Sequence, residues 1–256
     1  MTDLLAFVRR HDPDRFLSAL FAPAERRGAL LALYAFNHEL ARAREAVREP
    51  PLALIRLQWW REVVEGAART HEVATPLSEA LAAGALARDD LLALIDAREI
   101  EVEPQIDTVS DWLAYLRGTA GGLAVTAARC LGASAPESIR SLGTAYGIAG
   151  MLRAAPALAR QGRCLLPADC LAAHGLSPDS VISAPDTPAL APVLHDLARE
   201  GANLLAHAPR PARAAIPAAL PAVLARRDLA RVPAPAAPRG LGDRLAVLWA
   251  ATIGRV

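Results

Sequence analysis

Apolar residues recur at three- and four-residue steps along almost the whole chain, the spacing of one helix face. From Pro23, a residue suited to a first helical turn, Leu30, Leu33, Tyr34, Asn37, Leu40 and Ala41 follow that step. A second helix is predicted after Pro50-Pro51, through Leu54, Leu57, Gln58, Arg61 and Val64. A third is predicted around Asp89 to Glu101, and a fourth starts near Ser110-Asp111, a good N-cap pair. A fifth spans Pro136 to Arg160, another Asp186 to Ala208, and the last Arg239 to Arg255. No run keeps a strand period of two for long, and strand–helix–strand punctuation is absent. The pattern therefore predicts one all-α domain over residues 1–256. Within it, 209–238 is rich in proline: Pro217 and Pro221 are placed to open a short helix, and "VPAPAAPRG" reads as a loop.

Composition narrows the function classes. A chain of 256 residues is long enough to bury a substantial core. Its net charge of +1 gives no field that argues for nucleic acid. All 28 basic residues are arginine, which together with the alanine and proline excess reads as compositional bias. The three cysteines, Cys130, Cys164 and Cys170, show no zinc spacing and read as buried thiols. "MTDLLAFVRRHDPDRF" has early acids and no long apolar core, unlike a signal or transit peptide. No apolar run reaches the ~18 residues of a membrane span, since "AAIPAALPAVLA" is broken by Pro217 and Pro221. The expectation is a cytoplasmic protein, soluble or peripheral at the inner membrane.

The fifth helix carries the most specific signal. Between Glu137 and Asp169 there is no acid, and the charges are Arg140, Arg153, Arg160 and Arg163, which read as a solvated face or an anion site. Gly143, Gly147 and Gly150 permit close backbone approach, and Pro156 is expected to kink or interrupt the helix. Leu142, Gly143, Ala145, Leu152, Arg153, Gly162, Arg163, Leu166 and Pro167, with Tyr34-Ala35-Phe36 upstream, resemble the two motifs of the squalene/phytoene synthase family. The resemblance implies an isoprenoid-synthase-type helical bundle around a central, largely apolar cavity. It also implies that two helices face each other across that cavity, bearing paired aspartates that hold Mg²⁺ and a prenyl diphosphate. Mg²⁺ needs several oxygen ligands in near-octahedral array. Here the first two metal positions fall on Ala41 and Glu45 and the second two on Ala154 and Leu158, while the motif's glutamine and asparagine fall on Gly147 and Gly150.

The segments "ALYAFNHELARAREAV", "IRLQWWREVVEG", "LIDARE" and "MLRAAP…CLLPADCLAAHGL" resemble the complex I assembly factor 6 branch of that family and its bacterial relatives. The resemblance implies a non-catalytic assembly protein without metal or cofactor, whose partner is a subunit or assembly intermediate of respiratory complex I. Its retained binding surface is expected at Asn37, Glu39, Glu45, Trp59, Trp60, Arg61 and Arg153. Two alternatives stay open. One is a prenyltransferase with a rebuilt Mg²⁺ site on Glu45, Glu39 or Glu62. The other is a carrier of an isoprenoid, quinone or other lipid. Local readings accompany these: one Trp of the 59–60 pair packs in the core, His38 is structural or solvated, Asp96 to Glu103 is an exposed helix end, and Gly118 and Gly121-Gly122 allow a bend or tight helix contact.

Overall fold

The computed structural model describes residues 4–45, 47, 49–234 and 237–256. Helix makes up 73% of it, and strand pairing among the described residues is limited to one bridge, Ile106 to Pro167. The helices are α1 (Leu4–His11), α2 (Pro13–Ala19), α3 (Ala24–Glu45), α4 (Pro50–Glu65), α5 (Ala74–Ala82), α6 (Arg88–Asp96), α7 (Val109–Leu116) and α8 (Gly122–Cys130). They continue as α9 (Arg140–Arg160), α10 (Ala168–Ala173), α11 (Pro178–Ser183), α12 (Ala191–His207), α13 (Ile216–Ala219), α14 (Pro221–Leu229) and α15 (Leu241–Ile253).

Prolines start several of these helices, where their missing N–H costs nothing. Pro13 follows the N-cap Asp12, whose side chain accepts from the Arg15 amide, and Pro50 and Pro221 open α4 and α14. The α3 helix supplies the middle of the core, with Leu30, Leu33, Tyr34, Phe36 and Leu40 buried. The same core takes in Trp60 of α4, Leu77 of α5, Leu91 of α6 and Trp112 of α7, with α4, α5 and α8 packed directly on α3. The α9 helix packs against α8, α12 and α14.

Several expected boundaries move. The helix expected to start near Ser110 begins at Val109, capped by Thr108, whose hydroxyl accepts from the Asp111 amide. Residues 136–139 form a 3-10 turn before α9, and α9 runs through Pro156 without interruption. The third helix stops at Asp96, a separate 3-10 turn covers Glu99–Val102, and α12 starts only at Ala191. The loop expected after α14 begins as foreseen, and its residues 235 and 236 lie outside the described residues.

The glycines set the spacing of the cavity wall. Residues Arg117–Gly121 form one π-helical turn between α7 and α8. A Cβ on Gly143 would lie 2.5 Å from Ala124 Cβ and 2.7 Å from the Ala120 carbonyl, and one on Gly147 would lie 2.6 Å from Ala120 Cβ. The π turn can therefore lie directly on α9 only because these positions have no side chain. Gly150, one turn further on, meets nothing within 4 Å and opens onto the cavity.

Candidate functional site

An open cavity of about 1000 Å³ is lined by residues of α1, α2, α3, α7, α9 and α15. Ala41 of α3 and Gly150 of α9 both line it, so the two motif helices do oppose each other across it. The lining is mixed rather than largely apolar: Phe16, Leu17, Leu116, Met151 and Leu224 share it with charged groups. Six arginines and three aspartates reach the wall, with His11, His38, Tyr115 and Tyr146. Most arrive from segments distant in sequence from the two motifs: Arg9, Asp12, Asp14 and Arg15 from the α1–α2 corner, and Arg239, Asp243 and Arg244 from the start of α15.

These charges are organised as two networks. In the first, Arg239 donates to Asp14 at 2.8 Å and to Asp228 at 2.7 Å. Arg153 donates to Asp228 at 3.2 Å and to the Ala237 carbonyl at 3.0 Å, and Tyr146 donates to Asp14 at 3.1 Å. Burial opposes the charge on Arg239, but the hydrogen bonds to Asp228 and Asp14 outweigh it and raise its pKa. Arg15 lies beside this network, paired with Asp12 at 2.8 Å and stacked over the Tyr146 ring at 4.8 Å.

The second network surrounds buried Glu101. Arg98 donates to it at 2.7 Å, Tyr115 at 2.8 Å, and Arg163 lies 3.6 Å away. Arg98 also donates to Asn37 Oδ1 at 3.3 Å, which ties α3 to the 3-10 turn. Burial first, and then the Glu101 charge, hold the Tyr115 phenol protonated far above its usual range. Glu101 belongs to the run read as an exposed helix end. It is buried because the chain leaves α6 at Asp96 and turns inward.

His38 is neither isolated nor simply solvated. Its ring stacks on His11 at 4.5 Å, meets Phe7 edge-on at 5.6 Å, and faces the cavity. Its Nε2 is buried with no hydrogen-bond partner. Burial, then His11 and Arg42, push its pKa down to about 4, so the ring is neutral at neutral pH.

The residues expected to form one binding surface are dispersed. Asn37 and Arg153 line the cavity. Glu39 is buried on α3 away from the lining, and Glu45 is exposed at the end of α3. Trp60 is 3% exposed and packs on Phe36 at 5.4 Å; Trp59 is half-buried, with its ring 5.5 Å from His71. These are packing aromatics. Arg61 is outside the cavity, donating to Asp96 at 2.7 Å and Glu99 at 2.9 Å, and it borders a shallow groove with Leu54, Ile55 and Gln58. Of the arginines read as a solvated face of the fifth helix, Arg160 is exposed and pairs with exposed Asp186, while half-buried Arg140, Arg153 and Arg163 pair with Glu137, Asp228 and Glu101.

The donor set does not fit a Mg²⁺ cluster at the motif positions. Ala41 and Ala154 have no donor atom, and Leu158 is buried in an apolar pocket with Cys164 and Val181. Glu62 is paired with Arg69 at 2.8 Å. The carboxylates that do reach the cavity are held by arginines, which compete for the oxygens a hard cation requires. Among the described residues no group of three or more His, Cys, Asp or Glu is placed to hold a metal ion.

A model of the squalene/phytoene synthase family matches residues 8–248. The rat protein named NADH dehydrogenase (ubiquinone) complex I, assembly factor 6 is 31% identical over 86% of this chain and 68% of its own length. The human protein of the same name is 29% identical over 80% of this chain, which spans 64% of the human protein's length. Among solved structures, a dehydrosqualene synthase in complex with ligand superposes with a TM-score of 0.81, at 15% identity over 98% of this chain and 94% of the other. Squalene synthase HpnC from Alicyclobacillus acidocaldarius gives 0.66 at 20% identity, over 90% and 91%. At these identities the structural likeness establishes the fold alone.

Proposed function

The chain belongs to the squalene/phytoene synthase family, and from that premise we propose that it is a non-catalytic member that assists the assembly of respiratory complex I. One observation carries the reading. On the family resemblance, the four metal positions fall on Ala41, Glu45, Ala154 and Leu158, of which only Glu45 bears a carboxylate, and that one is exposed. The name carried by the mammalian relatives supports the cellular role. The protein works by binding rather than turnover, needs no metal or cofactor, and is cytoplasmic, attached peripherally to the inner membrane. No helix among the described residues is long and apolar enough to cross a membrane.

The partner is a complex I subunit or assembly intermediate. The α4 groove at Leu54, Ile55, Gln58 and Arg61 suits it, because Ile55 is 65% exposed beside a hydrogen-bonding rim. The mixed cavity suits a small ligand with an anionic or hydrogen-bonding head better than a wholly apolar quinone or isoprenoid. Deleting the gene is expected to lower assembled NADH:quinone oxidoreductase in membranes while leaving squalene and carotenoid levels unchanged. Ile55→Glu should reproduce the deletion with unchanged melting. Trp60 is unsuitable for that test, because truncating a buried Trp costs about 3–5 kcal/mol of stability. Normal complex I with depleted isoprenoids, or Mg²⁺-dependent consumption of farnesyl diphosphate by the purified protein, would overturn the proposal.

A further inference from the structure

The α15 helix is turned the wrong way round for a helix that faces water. Its inward face carries Asp243, Val247 and Ala250. At about 100° per residue, the opposite face collects Leu241, Leu245, Leu248 and Trp249, with Ile253 at its edge. Leu241 is 74% exposed and Trp249 67%, and the other three are each exposed by about half. A surface helix ordinarily places such residues against the core.

The charges around this face have one sign. Asp243, the one carboxylate of α15, is buried and held by Arg227 at 2.7 Å and Arg231 at 3.2 Å. Arg244 and Arg255 are exposed on α15 and just beyond it. With Asp243 neutralised from within, Arg244 and Arg255 are the charges α15 and its C-terminal end present outward. Arg244 also lines the cavity, so the apolar face and the cavity mouth are neighbours.

We infer that α15 is a membrane-docking helix that lies flat in the headgroup region of a bilayer containing anionic phospholipid, with Leu241, Leu245, Leu248 and Trp249 inserted and Arg244 and Arg255 on phosphate. The inference deepens the reading of peripheral attachment made above, and rests on that part of it rather than on the assembly role. The helix has 13 residues, about 20 Å at 1.5 Å per residue, which is too short to span a bilayer. A strip of about 20 Å by 10 Å is also far smaller than the roughly 800 Å² per partner of a stable protein interface. Exposed leucines with an indole and flanking arginines match the composition of interfacial helices, where Trp sits at headgroup depth and each basic residue gains from an anionic surface.

The test uses the purified full chain and vesicle flotation. The protein is expected to float with phosphatidylcholine–phosphatidylglycerol vesicles, weakly with phosphatidylcholine alone, and less as salt is raised. Leu245→Glu and Trp249→Glu should each weaken binding about tenfold or more without changing circular dichroism or melting, because both side chains are exposed. Arg255→Glu should reduce binding only to the anionic vesicles. Trp249 emission should shift to the blue on binding, and the shift should vanish in Trp249→Phe. No flotation with either vesicle, or undiminished flotation of both Glu variants, would overturn the docking assignment. So would concentration-dependent dimerisation abolished by Leu245→Glu, since the face would then belong to a second copy. The assay contains no complex I, so its failure leaves the assembly role to be judged by the deletion phenotype alone.

Discussion

At the residue scale, His38 shows how the cavity alters ordinary chemistry. Its ring is neutral because burial disfavours the imidazolium, and His11 and Arg42 add like-charge repulsion. Folded His38 titrates near 4, against the ordinary 6.5. The unfolded chain therefore binds more protons between those values, and stability falls as pH drops through that window. Above 6.5 the contribution is complete, and below 4 no further loss comes from this group. Denaturant unfolding followed against pH should show this decline, and His38→Gln should flatten it. An unchanged pH profile in the variant would mean that the ring is not desolvated as described.

At the element scale, α9 divides its glycines between two tasks. Gly143 and Gly147 admit the π turn and the start of α8, whereas Gly150 faces open space. Gly143→Ala places a methyl 2.5 Å from Ala124 Cβ and 2.7 Å from a backbone oxygen, so overpacking should cost about 1–3 kcal/mol. Gly150→Ala meets no neighbour and should stabilise the helix by roughly 0.5–1 kcal/mol through propensity. Thermal or denaturant melts of the two variants should move in opposite directions. Parallel shifts would contradict this division of roles.

At the scale of the whole molecule, Arg239 joins parts of the chain 225 residues apart by bonding Asp14 and, on another side, Asp228. It closes the wall of the cavity on which α1–α2 and the start of α15 meet. Both acids lose a cation in Arg239→Ala, and Asp228 keeps only Arg153. Hydrogen exchange is expected to accelerate in α1, α2 and α15 while α3, α7 and α9 remain protected, because the latter are held by the apolar core. Uniform acceleration across the chain would show instead that the network supports global stability.

The repeating apolar step alone determined that the protein is helical, and where α3, α4 and the body of α9 lie, because a buried helix face needs that spacing whatever it packs against. The two family motifs likewise made the opposition of α3 and α9 legible. Local chemistry was less sufficient. The cap at Thr108 competed with Ser110-Asp111 over two residues, and Pro156 was accommodated inside a helix that packing holds on several sides. What the sequence could not disclose was the character of the cavity. Arg9, Asp14, Arg98, Arg239 and Arg244 carry no signature of their own, and only the folded chain brings them to one wall. Glu101 became an internal anchor by the same cause, whereas the core packing of one Trp of the 59–60 pair was foreseen and is met by Trp60. Burial and ion pairing are properties of contacts between distant segments, and tertiary structure alone decides which segments meet.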